Sequence, residues 1–154
     1  LQGLADERVV TAFYAVLDRR TRELTFANAG HPYPLRYTGG RVEPLAARGF
    51  MLGIMPDEEY RETTVRLEPG DRLCFYTDGL VESRNEIGEA FGTDRLTGCL
   101  LAHGAGRAGQ VLEHALGCQR GFAGGYPLSD DLTVVVAEFG QPAATCAGSH
   151  VARS

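Results

Sequence analysis

The sequence lacks what membrane insertion requires: no apolar run approaches the roughly 20 residues needed to cross a bilayer. Leu1 to Val10 also has neither the basic start nor the long apolar centre of a signal peptide. Positive charge is short as well. Lys and Arg number 15 against 20 Asp and Glu, a formal charge of −5 mixed along the chain, so no basic surface is offered to nucleic acid phosphates. These absences exclude membrane and nucleic-acid partners and lead to the expectation of a cytoplasmic protein. Cysteine is sparse: Cys74, Cys99, Cys118 and Cys146 are widely spaced and include no C-x-x-C pair. Zinc and redox readings fall away on that pattern, leaving reduced thiols as the expectation. No internal repeat or low-complexity block is present.

What is there suits one globular domain, with 44% hydrophobic and 23% charged residues in a chain of 154. Glycine is over-represented at 20 residues, about twice its usual ~7% share, and lies between short apolar runs, which predicts many turns joining short strands. Val9 to Leu17 and Leu24 to Ala27 are rich in β-branched and aromatic residues and flank a polar turn from Asp18 to Glu23; they predict an antiparallel hairpin. Leu35 to Tyr37, the Gly39-Gly40 turn and Arg41 to Glu43 predict a second. Glu62 to Leu67 alternates with period two, and Arg72 to Thr77 is a short apolar run that reads as a strand buried on both faces.

The texture changes after Phe91. Leu96, Leu100 and Leu101, then Val111, Leu112, Ala115 and Leu116, recur at intervals of three and four and predict two helices separated by His103 to Gly106. Thr93 or Asp94 is the expected cap of the first, and Gly121, Gly124 and Gly125 the expected end of the second. Leu132 to Phe139 is a returning strand. The order of strands, two helices and a last strand suits an α+β layered domain better than an alternating parallel fold.

Two strands carry an aspartate at one end, in Thr77-Asp78-Gly79 and in Ser129-Asp130-Asp131. Carboxylates so placed are held by a rigid scaffold yet reach solvent, which suits Mg²⁺ or Mn²⁺, hard ions that take oxygen ligands and keep waters. From spacing alone, an ordinary Asp-Gly turn and a solvated strand edge explain the same residues more simply.

At these positions a family resemblance appears. FYTDGLVESRNEIGEAFG (Phe75 to Gly92), SDDLTVVVAEF near the end and TAFYAVLDRRTRELTFANAGHPYPL near the start resemble the metal-dependent serine/threonine protein phosphatases. The branch is the one named after stage II sporulation protein E and the RsbU-type stress-response phosphatases, and the resemblance runs from about Val10 to Phe139. It implies an α-β-β-α sandwich of antiparallel sheets with two Mn²⁺ or Mg²⁺ ions at one end. By position, Asp78 and Asp130 are the implied catalytic metal ligands. Gly79 stands beside the metal, and Asp131 fills a position implied to support it from outside the ligand shell. The implied reaction is hydrolysis of phosphoserine or phosphothreonine by a metal-activated water, with a phosphorylated regulatory protein, such as an anti-sigma-factor antagonist, as substrate.

The family's opening Gly-Asp-x-x-Gly-His-Gly segment has no counterpart in this sequence. Residues 1–140 are therefore expected to be a partial catalytic domain lacking its N-terminal part, inactive in isolation and prone to self-association, and 141–154 a disordered tail. A catalytically silent, phosphatase-like binding module is the alternative. His31 in the Ala-Gly-His-Pro segment is expected to order its loop rather than act as a general acid. Glu82 and Asn85 suit either positioning at the mouth of the site or plain loop polarity, and Arg84 suits solvated surface better than phosphate attraction.

Overall fold

The computed structural model describes residues 9–55 and 57–140. Strands β1 (Ala12–Asp18) and β2 (Glu23–Ala29) pair antiparallel from Ala12↔Ala29 to Asp18↔Glu23. The turn between them closes on the Asp18 carboxylate, which accepts the backbone N–H groups of Arg20 at 2.7 Å and Thr21 at 3.2 Å. Strands β3 (Leu35–Thr38) and β4 (Arg41–Pro44) form the second hairpin. Its Gly39 and Gly40 have φ of 53° and 79°, conformations that glycine adopts at no steric cost. Strand β5 (Thr63–Arg66) joins the first hairpin in a sheet of order β1-β2-β5. Strands β6 (Arg72–Tyr76) and β7 (Val134–Glu138) join the second in a sheet of order β4-β3-β6-β7.

The double burial expected of β6 is what binds the layers. Because side chains alternate along a strand, Leu73 and Phe75 face the three-stranded sheet and pack with Leu24, Phe26, Leu45 and Leu67. Cys74 and Tyr76 point the other way, into a cluster with Leu80, Leu96, Leu100, Val111 and Ala115. A buried ion pair braces the two sheets. Arg36 of β3 donates from Nε to Asp71 Oδ2 at 2.9 Å and from Nη2 to the Arg66 carbonyl of β5 at 2.9 Å. Asp71 also accepts the Glu68 N–H at 2.8 Å.

Helices α2 (Gly92–His103) and α3 (Ala108–Ala123) cover the four-stranded sheet, and the short α1 (Asp78–Val81) follows β6 directly. The described residues thus form an α+β stack of helices, sheet and sheet, all strand pairs antiparallel.

Several local expectations are corrected. Helix α2 begins at Gly92, so Thr93 and Asp94 lie inside its first turn and neither caps it. Gly92 reverses the chain with φ of 77° and lets the helix start directly after the buried Phe91. Helix α3 runs through Gly121 and stops at Gly124, left-handed with φ of 60°. Its last turn is retained because Phe122 packs on Phe91, with ring centroids 5.6 Å apart, and lies under the Arg95 guanidinium at 4.4 Å. Those contacts offset the roughly 1 kcal/mol that an internal glycine costs. Cys99 and Cys118 are not reduced thiols but a disulfide joining α2 to α3, with Cα atoms 6.7 Å apart, because they fall on the facing stripes of the two helices. Cys74 is free and buried. No helix of the described residues is long and apolar enough to cross a membrane. The expected tail at 141–154 lies outside the described residues.

Candidate metal centre

The two aspartate-bearing strand ends meet because β6 and β7 are neighbours, with Tyr76 opposite Val134. Thr77 extends the pairing past the regular ladder. Its N–H donates to the Thr133 carbonyl at 3.1 Å, its hydroxyl donates to the Asp131 carbonyl at 3.0 Å, and the same hydroxyl accepts the Thr133 N–H at 2.9 Å. One threonine therefore ties Asp78-Gly79 to Asp130-Asp131. Gly79 then packs directly on that segment. A Cβ built on it would stand 2.5 Å from the Asp131 carbonyl oxygen, 2.9 Å from the Asp131 carbonyl carbon and 3.3 Å from the Asp130 carbonyl oxygen. Its φ is not in the left-handed region, so glycine is required here for space rather than conformation.

The side chains at this junction are exposed. Asp78 accepts the Gly79 N–H at 3.0 Å and Asp130 accepts the Asp131 N–H at 2.7 Å, each through one carboxylate oxygen. Asp78 at the start of α1 and Glu82, which caps its end, line a cavity of about 410 Å³ together with Thr11, Asn28 and His31. The loop carrying His31 is ordered by a residue that the sequence reading passed over. Asn28, only 2% exposed, donates from Nδ2 to the His31 carbonyl and accepts the His31 N–H at Oδ1, both at 2.8 Å. The His31 ring itself faces Thr11, with Nδ1 3.4 Å from the hydroxyl oxygen. An asparagine just before the Ala-Gly-His-Pro turn was the available signal, since Asn commonly bonds to backbone two or three residues ahead.

Asn85 and Arg84 serve their own loop. Asn85 Oδ1 accepts the N–H groups of Ile87 at 3.2 Å and Glu89 at 2.9 Å, and Arg84 donates to the Gly88 carbonyl at 2.6 Å.

The electrostatics of the edge are one-sided. Asp78, Glu82, Asp130 and Asp131 are acidic and exposed, and none forms an ion pair among the described residues. A phosphate dianion would be repelled from such an edge unless a cation stood between them. The donors are all oxygen, so they fit Mg²⁺ or Mn²⁺ in kind. In number they supply part of a ligand shell, because among the described residues no three His, Cys, Asp or Glu side chains are grouped to hold an ion.

Comparison with known proteins gives a consistent set of likenesses. Residues 1–140 match the family model of stage II sporulation protein E (SpoIIE). The phosphoserine phosphatase RsbU of Bacillus subtilis (strain 168) is 35% identical over 89 residues, covering 56% of this chain and 27% of that protein. Protein IcfG of Synechocystis sp. is 33% identical over 94 residues, covering 60% of this chain and 15% of that protein. The solved SiaA-PP2C domain of Pseudomonas aeruginosa superposes with a TM-score of 0.74 at 28% identity, covering 84% of this chain and 51% of that one. The chain thus spans well under a third of the length of these two curated relatives and about half of that solved domain.

Proposed function

This chain belongs to the stage II sporulation protein E family, in the SpoIIE/RsbU-type branch of the PP2C phosphatases, and on that premise we propose that it forms one half of a metal-dependent protein phosphatase site. The observation that carries the proposal is the junction at Gly79, where two distant acidic motifs share one tightly packed edge beside a cavity. Asp78 and Asp130 are the residues that would hold Mn²⁺ or Mg²⁺, and Asp131 would support them from outside the ligand shell. A divalent ion bound there supplies positive charge, which lowers the pKa of water and neutralises charge on the transferring phosphoryl group.

The chain's own residues do the positioning. Thr77 and Gly79 fix the spacing of the two motifs. Asn28 holds the His31 loop over the cavity, and Glu82 adds negative charge at its mouth, favouring a cation over a free anion. The substrate class proposed is a phosphoserine or phosphothreonine on a regulatory protein, such as an anti-sigma-factor antagonist. On this reading residues 1–140 act as a partial catalytic domain, nearly inactive alone, in keeping with the incomplete ligand shell that the acidic groups among the described residues supply. The test is phosphate release from a phosphoserine protein by the complete protein, with Mn²⁺ and after chelation. Metal-dependent release is expected. Release that persists without divalent ions, or none at all in a protein that binds Mn²⁺, would overturn the proposal.

A further inference from the structure

Helices α2 and α3 run antiparallel, and three facing pairs step along them one turn at a time. Arg95 lies over Phe122 at 4.4 Å, Cys99 meets Cys118 with Cα atoms 6.7 Å apart, and His103 stacks on His114 with ring centroids 3.9 Å apart and planes 10° from parallel. On each helix the cysteine and histidine are four residues apart, so both lie on one face. The sequence pattern is Cys-x-x-x-His followed by His-x-x-x-Cys. Two sulfurs and two imidazoles therefore occupy consecutive turns of one interhelical seam. Both histidines are exposed, and neither ring makes a side-chain hydrogen bond among the described residues.

We propose that Cys99, Cys118, His103 and His114 form a four-ligand site for Zn²⁺ or a similar borderline-soft divalent ion when the cysteines are reduced. Tetrahedral zinc takes sulfur at about 2.3 Å and nitrogen at about 2.0–2.1 Å, which places paired nitrogens about 3.4 Å and paired sulfurs about 3.8 Å apart. The His103 and His114 ring centroids stand 3.9 Å apart, so one nitrogen of each reaches the first spacing once the rings turn out of their parallel stack, and the Cα separation of 6.7 Å leaves room for the second. With the disulfide closed, the sulfurs are unavailable and no three-ligand group exists among the described residues.

Opening the site needs a two-electron reductant: a dithiol gives two electrons and two protons to the sulfur–sulfur bond and becomes a disulfide itself, and a phosphine with water does the same and becomes its oxide. The ion then displaces the two thiol protons to solvent and takes one lone pair from each neutral imidazole. The site is remote from Asp78. Gly104, next to His103, packs against Tyr37 of β3, and Gly106 accepts a hydrogen bond from Arg72 at the start of β6 at 2.8 Å, whereas Asp78 lies beyond the other end of that strand.

Cobalt is the probe, because thiolate ligands give a charge-transfer band and tetrahedral coordination gives intense visible bands that an all-oxygen site does not. The purified protein, stripped with chelator and reduced with a phosphine, should bind one Co²⁺ with both signatures and release it to Zn²⁺, while the oxidised protein should show neither. His103→Ala and His114→Ala should each weaken binding at least about tenfold, since loss of even an outer partner of a ligand costs that much. Cys99→Ser, which leaves Cys118 as the single thiolate, should weaken the charge-transfer band, and Cys99→Ser combined with Cys118→Ser should remove it. If Cys99→Ser fails to fold, the two histidine variants decide, with far-UV dichroism as the folding control. A reduced, folded protein without the thiolate–cobalt band, or affinity unchanged in both histidine variants, would overturn the proposal.

Discussion

Replacing Gly79 with alanine places a methyl group where the Asp131 backbone already lies. In a helix this exchange ordinarily stabilises by up to about 1 kcal/mol. Here the new Cβ would sit 2.5 Å from one backbone oxygen, so the Asp130–Asp131 segment must retreat by about 0.9 Å to reach ordinary contact at 3.4 Å. That segment is held by Thr77 and by the β6–β7 ladder, and forcing extra volume into packed structure costs about 1–3 kcal/mol. The net expectation is destabilisation, lowering Tm by about 2–4 °C per kcal/mol for a domain of this size. The functional effect should be larger than the thermal one. A misplacement near 1 Å costs on the order of 10²-fold in rate, so metal-dependent phosphate release by the complete protein should fall by about that factor. Thermal unfolding and phosphate release on the same variant decide the matter. A raised Tm with unchanged turnover would show that the two motifs do not depend on this close approach.

Other expectations follow from the packing. Asp71→Ala leaves the buried Arg36 with Glu43 as its remaining carboxylate partner, 3.0 Å away, and strands the Glu68 N–H, so it should cost about 1–3 kcal/mol by denaturant unfolding, whereas Arg66→Ala, which keeps the backbone acceptor of that network, should change little. Burial raises the Cys74 thiol from 9.0 to about 12. The stability this lends is whole below about pH 9 and is lost as pH rises from there toward 12, at up to about 1.4 kcal/mol per pH unit; Cys74→Ala should flatten that alkaline limb of a stability–pH curve. Asn28→Ala strands the His31 N–H and carbonyl and should destabilise by about 1–3 kcal/mol, with turnover reduced and its pH profile unshifted if His31 is not a general acid. Tyr14 and Val16 on edge strand β1 are 71% and 52% exposed, an apolar edge that favours association, so light scattering on this chain should show mass rising with concentration.

The strands were legible because their signal is local. Alternation in Glu62 to Leu67 and the Gly39-Gly40 turn predict β5 and the second hairpin directly, and the run from Arg72 to Thr77 predicts a strand buried twice. Helix ends were less legible because they depend on partners distant in sequence: α3 outlasts Gly121 only because Phe122 finds Phe91 and Arg95. At the candidate centre, Asp78 and Asp130 were visible as residue types at strand ends, and Asp78-Gly79 next to Asp130-Asp131 follows from β6 pairing β7. The tie made by Thr77 and the loop-ordering role of Asn28 are contacts between side chain and backbone with no periodic signature. The expectation of reduced thiols fails because closely spaced cysteine pairs are a pattern along the chain, and this pair is not. Cys99 and Cys118 are brought together by helix register, as are His103 and His114, and only the four-residue step on both helices hints at it.

The central claim is that Asp78 and Asp130 serve a single metal centre. Titration calorimetry of Mn²⁺ on the complete protein, in wild type, Asp78→Asn, Asp130→Asn and the double variant, tests it most directly. Asparagine keeps the shape and one acceptor oxygen but removes the charge that holds a divalent ion. If the two residues serve one centre, each single change should weaken binding strongly, and the double change should weaken it by much less than the two losses combined, as expected of coupled neighbours. Losses that simply add, or Mn²⁺ affinity unchanged in either single variant, would contradict it.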